Sequence, residues 1–267
     1  MPRRATFSAA LVACCAVSLS AQSVRVSRFM DNCNHNRDDY SQFCETRDLT
    51  LASVKNLSVD GRENGGITVH GWDKNQIQVV AMIQAHAETD ADAEAMAKQI
   101  IVSSEGDEVR ASGPSRHGRH EWWSVSYEVW APRHTDLSLN ASNGGIAVDG
   151  VDARLDLETM NGGLNLVDVA GDVRGRTTNG GVTAELSGDR WRGAGLDLRT
   201  TNGGVHLYIP DSYSAVLETG TVNGGMNIGF PITIQGSLGR RLTTRLGNGG
   251  PTIRATTTNG GVSIQRR

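Results

Sequence analysis

Asn-Gly-Gly occurs eight times in this 267-residue chain, at Asn64, Asn143, Asn161, Asn179, Asn202, Asn223, Asn248 and Asn259. Most copies lead into an apolar-x-apolar step, such as Ile146-Ala-Val148 or Leu164-Asn-Leu166; the copy at Asn179 is looser, with Val182 and then Leu186. Aligned on the asparagine, the upstream residues alternate as well. Leu137/Leu139, Leu155/Leu157 and Leu196/Leu198 stand six and four positions before it, and Thr159, Thr177, Thr200, Thr221 and Thr257 stand two before it. Period-two alternation puts these residues on one strand face, and the asparagine with them, inward. A meander would use each Asn-Gly as a hairpin turn. A solenoid would use it as a corner, where side-chain amides one strand spacing (~4.8 Å) apart hydrogen-bond into a ladder. Only stacking requires the same residue at every corner, so the chain reads as an all-β, single-domain solenoid. The corner glycines are expected to supply positive φ and room where a Cβ would not fit. Asn259, the last copy, is expected to end the ladder.

Residues 1–21 read as a signal peptide. Arg3 and Arg4 form a charged start, Phe7 to Leu19 is apolar and small, and Ser18, Ser20 and Ala21 offer cleavage sites before Gln22 or Ser23. Leu11-Val12-Ala13-Cys14 also fits a lipobox, although the apolar run continues past Cys14. The apolar run is too short to span a bilayer. Export leaves Cys33 and Cys44, which most simply form one disulfide in an oxidising compartment. Closing that loop would contribute ~3 kcal/mol on the chain-entropy model. The rival, a metal site with His35, Asp38 and Asp39, lacks a clear fourth ligand. Without Arg3 and Arg4 the chain keeps 29 acidic residues and falls slightly below its formal charge of −3. That balance argues against a nucleic-acid partner or a basic membrane patch.

Four regions follow: the signal peptide, a disulfide-stapled extension over 22–52, an irregular β region over 53–135, and the regular repeats over 136–267. Ile77 to Ile83, Ile101 to Ala111 and Glu121 to Trp130 read as strands of the irregular region. Thr89 to Ile100 reads as an inserted helix, with Thr89 as N-cap, Asp90 and Asp92 in the first turn and Lys98 near the end. The corners, the inserted helix and the strand Tyr127-Glu-Val129-Trp-Ala-Pro132 together resemble the bacterial putative-adhesin domain family, over residues 45 to 267. The resemblance implies a β-solenoid and no established catalytic residues.

Chemistry is sparse. A calcium roll needs an aspartate at a fixed offset within nine-residue units, and none recurs here. Asp149, Asp168, Asp172 and Asp189 neighbour glycine or its turns and read as turn residues. Glycoside hydrolysis needs two carboxylates across a cleft, yet Asp156, Glu158 and Asp197 alternate with inward leucines and face out. No phosphate loop or Ser/His/Asp set is legible, and His134 and His206 have no identifiable partner. His117, His120 and Glu121 could bind a metal but read better as loop polarity. Trp122 and Trp130 lie opposite the core set Trp123, Val125, Tyr127 and Val129; packing under the helix is expected over a sugar platform. The expectation is a non-catalytic, exported, adhesin-like protein without cofactors or metal. Its partner would be a surface protein or glycan, and its solenoid ends could self-associate. The alternatives are a polysaccharide-active solenoid enzyme, or an envelope-stress component that binds a membrane partner through 53–135.

Overall fold

The computed structural model describes residues 26–31, 33, 41–115, 118, 120–231 and 239–267. The segment 1–21, with Cys14, and His35, Asp38, Asp39 and His117 lie outside the described residues. Seven of the eight Asn-Gly-Gly triplets, all but that at Asn248, join a strand of one sheet to a strand of a facing sheet. The coils are β2 (Asn56–Asp60) with β3 (Ile67–Trp72), β8 (Asp136–Ala141) with β9 (Ile146–Asp149), and β10 (Asp152–Thr159) with β11 (Leu164–Val167). Next come β12 (Ala170–Asn179) with β13 (Val182–Glu185), and β14 (Gly195–Asn202) with β15 (Val205–Ile209). The last two in sequence are β16 (Ala215–Asn223) with β17 (Met226–Ile228), and β19 (Thr252–Asn259) with β20 (Val262–Arg266). Neighbouring coils pair in parallel and in register, so the fold is a β-solenoid of two sheets.

Space does not follow sequence at the C-terminal end. The pair β19–β20 sits between β14–β15 and β16–β17, so the last coil is inserted before the one that precedes it in the chain. Asn259 is therefore an interior copy, and the expectation that it ends the stack is overturned. The outermost strand there is β18 (Arg241–Leu246), antiparallel to β16.

At the other end the pattern is irregular. The strands β1 (Ser41–Ala52), β4 (Gln76–Ala87) and β7 (Trp122–Pro132) pair antiparallel, and β7 then continues the parallel stack through β3. Part of the N-terminal extension is thus a 12-residue strand, β1. The expected strand 101–111 is a hairpin of β5 (Ile101–Glu105) and β6 (Glu108–Ser112), turning at Gly106 with φ 66°. Helix α1 (Asp90–Gln99) forms where its caps place it: the Thr89 hydroxyl accepts from the Asp92 amide, and Arg47 donates to the carbonyls of Ala97 and Ile100 at its C-terminus. Its Ala93 and Ala97 are buried against β1 and β4. A second helical stretch, over residues 26–31, falls in the extension.

The core is a single apolar stripe between the sheets. Leu137, Leu139, Leu155, Leu157, Leu196 and Leu198 are all buried, as the alternation requires. In the coil of Asn179, Gly175 stands in register with Leu157 and Leu198, and a Cβ there would lie 2.7 Å from Leu198 Cδ2 and 2.9 Å from Leu164 Cδ1. The neighbouring leucines already fill that space.

Candidate functional site

The asparagines form one edge of the solenoid. The Nδ2 of Asn143 donates to Oδ1 of Asn64 at 3.2 Å, and Asn161 to Asn143 at 2.7 Å. Asn179 donates to Asn161, Asn202 to Asn179, Asn259 to Asn202 and Asn223 to Asn259, at 2.8 to 2.9 Å. These side chains are not inward. Thr177 is buried, whereas Thr178 and Asn179 are both exposed, so the inward alternation ends at the threonine although the strand runs on to Asn179. The inward group is the threonine. Thr159, Thr177, Thr200, Thr257 and Thr221 each donate their hydroxyl to the carbonyl of the first corner glycine of the coil before them in space, at 2.7 to 2.8 Å. A buried hydroxyl is thereby satisfied at each of these corners.

The glycine requirement is steric. A Cβ on Gly144, Gly162, Gly180 or Gly203 would lie 2.0 to 2.1 Å from the glycine carbonyl oxygen of the adjoining coil. Positive φ is not the reason: none of those four adopts it. Asn248 departs from the set. It lies beyond the end of β18 next to Ser214, at the opposite end of the strands from the other corners, and Gly249 takes φ 74° in a local turn. Its triplet makes a turn, which solves locally what the stacked copies solve between coils.

The outward face of the β12–β14–β19–β16 sheet carries ordered charge. Five positions before the asparagine, Asp156, Arg174, Asp197, Arg254 and Glu218 are neighbours in register, with alternating sign. Arg254 donates to Glu218 Oε2 from Nε at 2.8 Å and reaches Asp197 Oδ2 at 3.4 Å. Arg199 grips Asp197 with both Nε (2.8 Å) and Nη2 (2.6 Å). Partial burial alone would raise the Asp197 pKa. The Arg199 hydrogen bonds and the charges of Arg199, Arg254 and Arg176 outweigh it and hold the carboxyl below its usual range.

Three positions before the asparagine, the balance differs. Glu158, Arg176, Arg199, Thr256, Gly220 and Arg241 follow one another across the sheet. Here Arg176 and Arg199 adjoin, Thr256 follows, and Arg241 pairs with the buried Gly220, where a Cβ would meet the Arg240 carbonyl oxygen at 2.7 Å. The resulting groove has a volume of about 630 Å³. None of these arginines was singled out from sequence, although the same alignment on asparagine places Arg174, Arg176, Arg199 and Arg254 on the outward positions.

The opposite sheet has an aromatic patch. His70 stacks on Trp130 with centroids 5.5 Å apart, with Nε2 3.2 Å from Glu128 Oε1 and Nδ1 3.9 Å from Asp149 Oδ2. His86 stacks on Trp122 at 3.9 Å. The two tryptophans thus pack against histidines, whereas α1 lies on β1 and β4. His134 Nδ1 lies 2.9 Å from the Asp152 carbonyl oxygen, and Glu121 Oε2 accepts from the Gly118 amide. No group of three or more metal-ligating side chains occurs among the described residues. Cys33 and Cys44 are joined by a disulfide, with Cα atoms 6.3 Å apart. No helix among the described residues is long and apolar enough to cross a membrane.

The family model described as Toastrack DUF4097 matches residues 55–265. No curated protein matches the chain. Among solved structures, a putative cell adhesion protein from Clostridium sporogenes is similar at 12% identity and TM-score 0.44, covering 84% of this chain and 100% of that one. A putative adhesin from Bacteroides fragilis is similar at 13% identity and TM-score 0.39, covering 84% and 97%. A putative lipid binding protein from Parabacteroides distasonis is similar at 9% identity and TM-score 0.30, covering 84% and 96%. At such identities and scores the likeness says nothing of a ligand.

Proposed function

The chain belongs to the Toastrack DUF4097 family, and from that premise we propose a non-catalytic, exported, adhesin-like protein that acts at the cell surface or in the envelope. Residues 1–21 are its signal peptide, 22–52 a disulfide-stapled extension, 53–135 an irregular β region and 136–267 the repeat solenoid. Its partner is a surface glycan or protein. The observation that carries this reading is the outward sheet face with its arginine-lined groove. That face offers several fixed cationic forks on a rigid scaffold, an arrangement suited to binding. Its carboxylate Asp197 is poorly suited to act as a general acid. Asp197 is held ionised by Arg199 and Arg254, and a general acid needs the opposite shift. The disulfide between Cys33 and Cys44 supports an oxidising compartment.

Fractionation of producing cells, combined with mass spectrometry of the N-terminus, tests export. The expected product starts at Gln22 or Ser23 and leaves the cytoplasm; an intact N-terminus in the cytoplasm would overturn the reading. Purified protein should also bind isolated cell envelopes saturably without releasing reducing ends. Release of sugar products would replace binding by catalysis.

A further inference from the structure

The groove on the outward sheet face has a specific chemistry. One row away, charge is neutralised strand by strand, from Asp156 to Glu218. In the groove row Arg176 and Arg199 are direct in-register neighbours, and like charges opposite one another on a sheet are unfavourable. Among the described residues neither Arg176 nor Arg241 makes an ion pair, although Glu158 is in register with Arg176 on its other side. Gly220, between Thr256 and Arg241, is buried, and a Cβ there would lie 2.7 Å from the Arg240 carbonyl oxygen and 3.1 Å from Arg241 Cγ, so the Arg241 stem covers this position. The groove therefore has an unpaired cation at each rim: Arg176, beside the Asp197-bound Arg199, on one side and Arg241 on the other, three strands (about 14 Å) from Arg199, with the paired Glu218 and Arg254 also lining it. Its floor carries the hydroxyls of Thr201, Thr256 and Thr258.

We infer that this groove binds a carboxylate-bearing polysaccharide, a polyuronate, laid along the stack of coils. The guanidinium fork matches the planar carboxylate, and Arg199 already grips a carboxylate through Nε and Nη2 in this structure. Threonine hydroxyls suit the neutral hydroxyls between the charges. The spacing of the rims calls for a ligand with more than one charge, because a single anion reaches one rim only. The inference rests on the reading of the protein as a surface or envelope binder and names the chemistry of its ligand.

Oligogalacturonate titrated calorimetrically into the full processed chain tests it, alongside isolated envelopes as a second probe. Wild type should bind oligogalacturonate, and affinity should fall at least tenfold in the double variant Arg176→Ala/Arg241→Ala, with the melting temperature kept within a few degrees. Binding should also weaken as salt rises. Equal binding of a neutral galactan would overturn the inference, and so would equal binding of dextran sulfate or polyphosphate, which would make the groove a general polyanion site. Wild-type affinity in the double variant would do the same. Envelope binding without oligogalacturonate binding would overturn the polyuronate assignment and leave the surface-binding reading standing. Absence of both would remove both.

Discussion

The side-chain amide of Asn223 donates to Asn259 at 2.8 Å, although Asn259 comes thirty-six residues later and itself donates to Asn202. The last coil has therefore entered the stack between two coils that precede it. Charge on the outward face gives a physical reason. With the coils in sequence order, Glu218 would lie beside Asp197. Insertion places Arg254 between them, bonded to Glu218 at 2.8 Å and 3.4 Å from Asp197. Like charges in register destabilise and opposite charges stabilise by ~0.2–1 kcal/mol each.

Arg254→Glu should therefore cost about 1–3 kcal/mol, because it removes two attractions and creates two repulsions. Urea unfolding at low and at high salt checks this. The loss should shrink as salt rises, since the groups are partly exposed. A salt-independent loss would mean that packing of the Arg254 stem is responsible.

The amide ladder predicts a ranking. Asn179 and Asn259 each bond to two neighbours, whereas Asn223 donates to one. Alanine at Asn179 or Asn259 should cost about 1–2 kcal/mol, and at Asn223 roughly half of that. The costs stay modest because the amides are exposed and water can replace a lost partner. Urea midpoints of the three variants decide it; a smaller loss at Asn259 than at Asn223 would contradict the inserted order.

Asp197 gives a pH dependence. Its folded-state pKa lies below that of the unfolded chain, so its contribution is fully present above the usual carboxylate range and is lost as pH falls through the folded value. Asp197→Asn should be less stable than wild type at pH 7. The difference should fade only as pH falls below the usual carboxylate range and through the folded-state pKa, where the wild-type carboxylate also protonates. Thermal unfolding of both proteins across that range is the measurement, and a gap that persists at low pH points to the amide's geometry rather than charge.

Much of the stack was legible because an in-register solenoid repeats its inward residues. Leu155, Leu157 and Thr159 sit at the same offsets from Asn161 as Leu196, Leu198 and Thr200 do from Asn202, and all are buried. Four features were not legible in that way. The asparagines are exposed although β12, β14, β16 and β19 run to them, so alternation alone does not report their orientation. The insertion of the last coil depends on pairs such as Arg254 and Glu218, 36 positions apart in the chain. The departure of Asn248 did leave a trace: the eleven residues from it to Asn259 are too few for two strands and two turns. The arginine groove was hidden because its members are separated by the same inward residues that reveal the fold.

Tyr127 separates packing from polarity inside the core. Its ring is among the largest fully buried side chains, yet its hydroxyl has no hydrogen-bond partner among the described residues. Burial, followed by the charge of Asp60, pushes its pKa well above the ordinary value, against a smaller opposing effect of Arg62, so the group stays neutral. An unpaired buried hydroxyl forfeits hydration without a protein bond in return, a cost of ~1–3 kcal/mol. Tyr127→Phe keeps the ring and removes that cost, so it should leave stability unchanged or raise it by about 1 kcal/mol. Tyr127→Leu should instead lose roughly 1–3 kcal/mol, because the ring spans space that leucine leaves empty. Urea unfolding of the two variants beside wild type settles the sign. Destabilisation by phenylalanine would show that the hydroxyl is bonded in solution, with water as its partner.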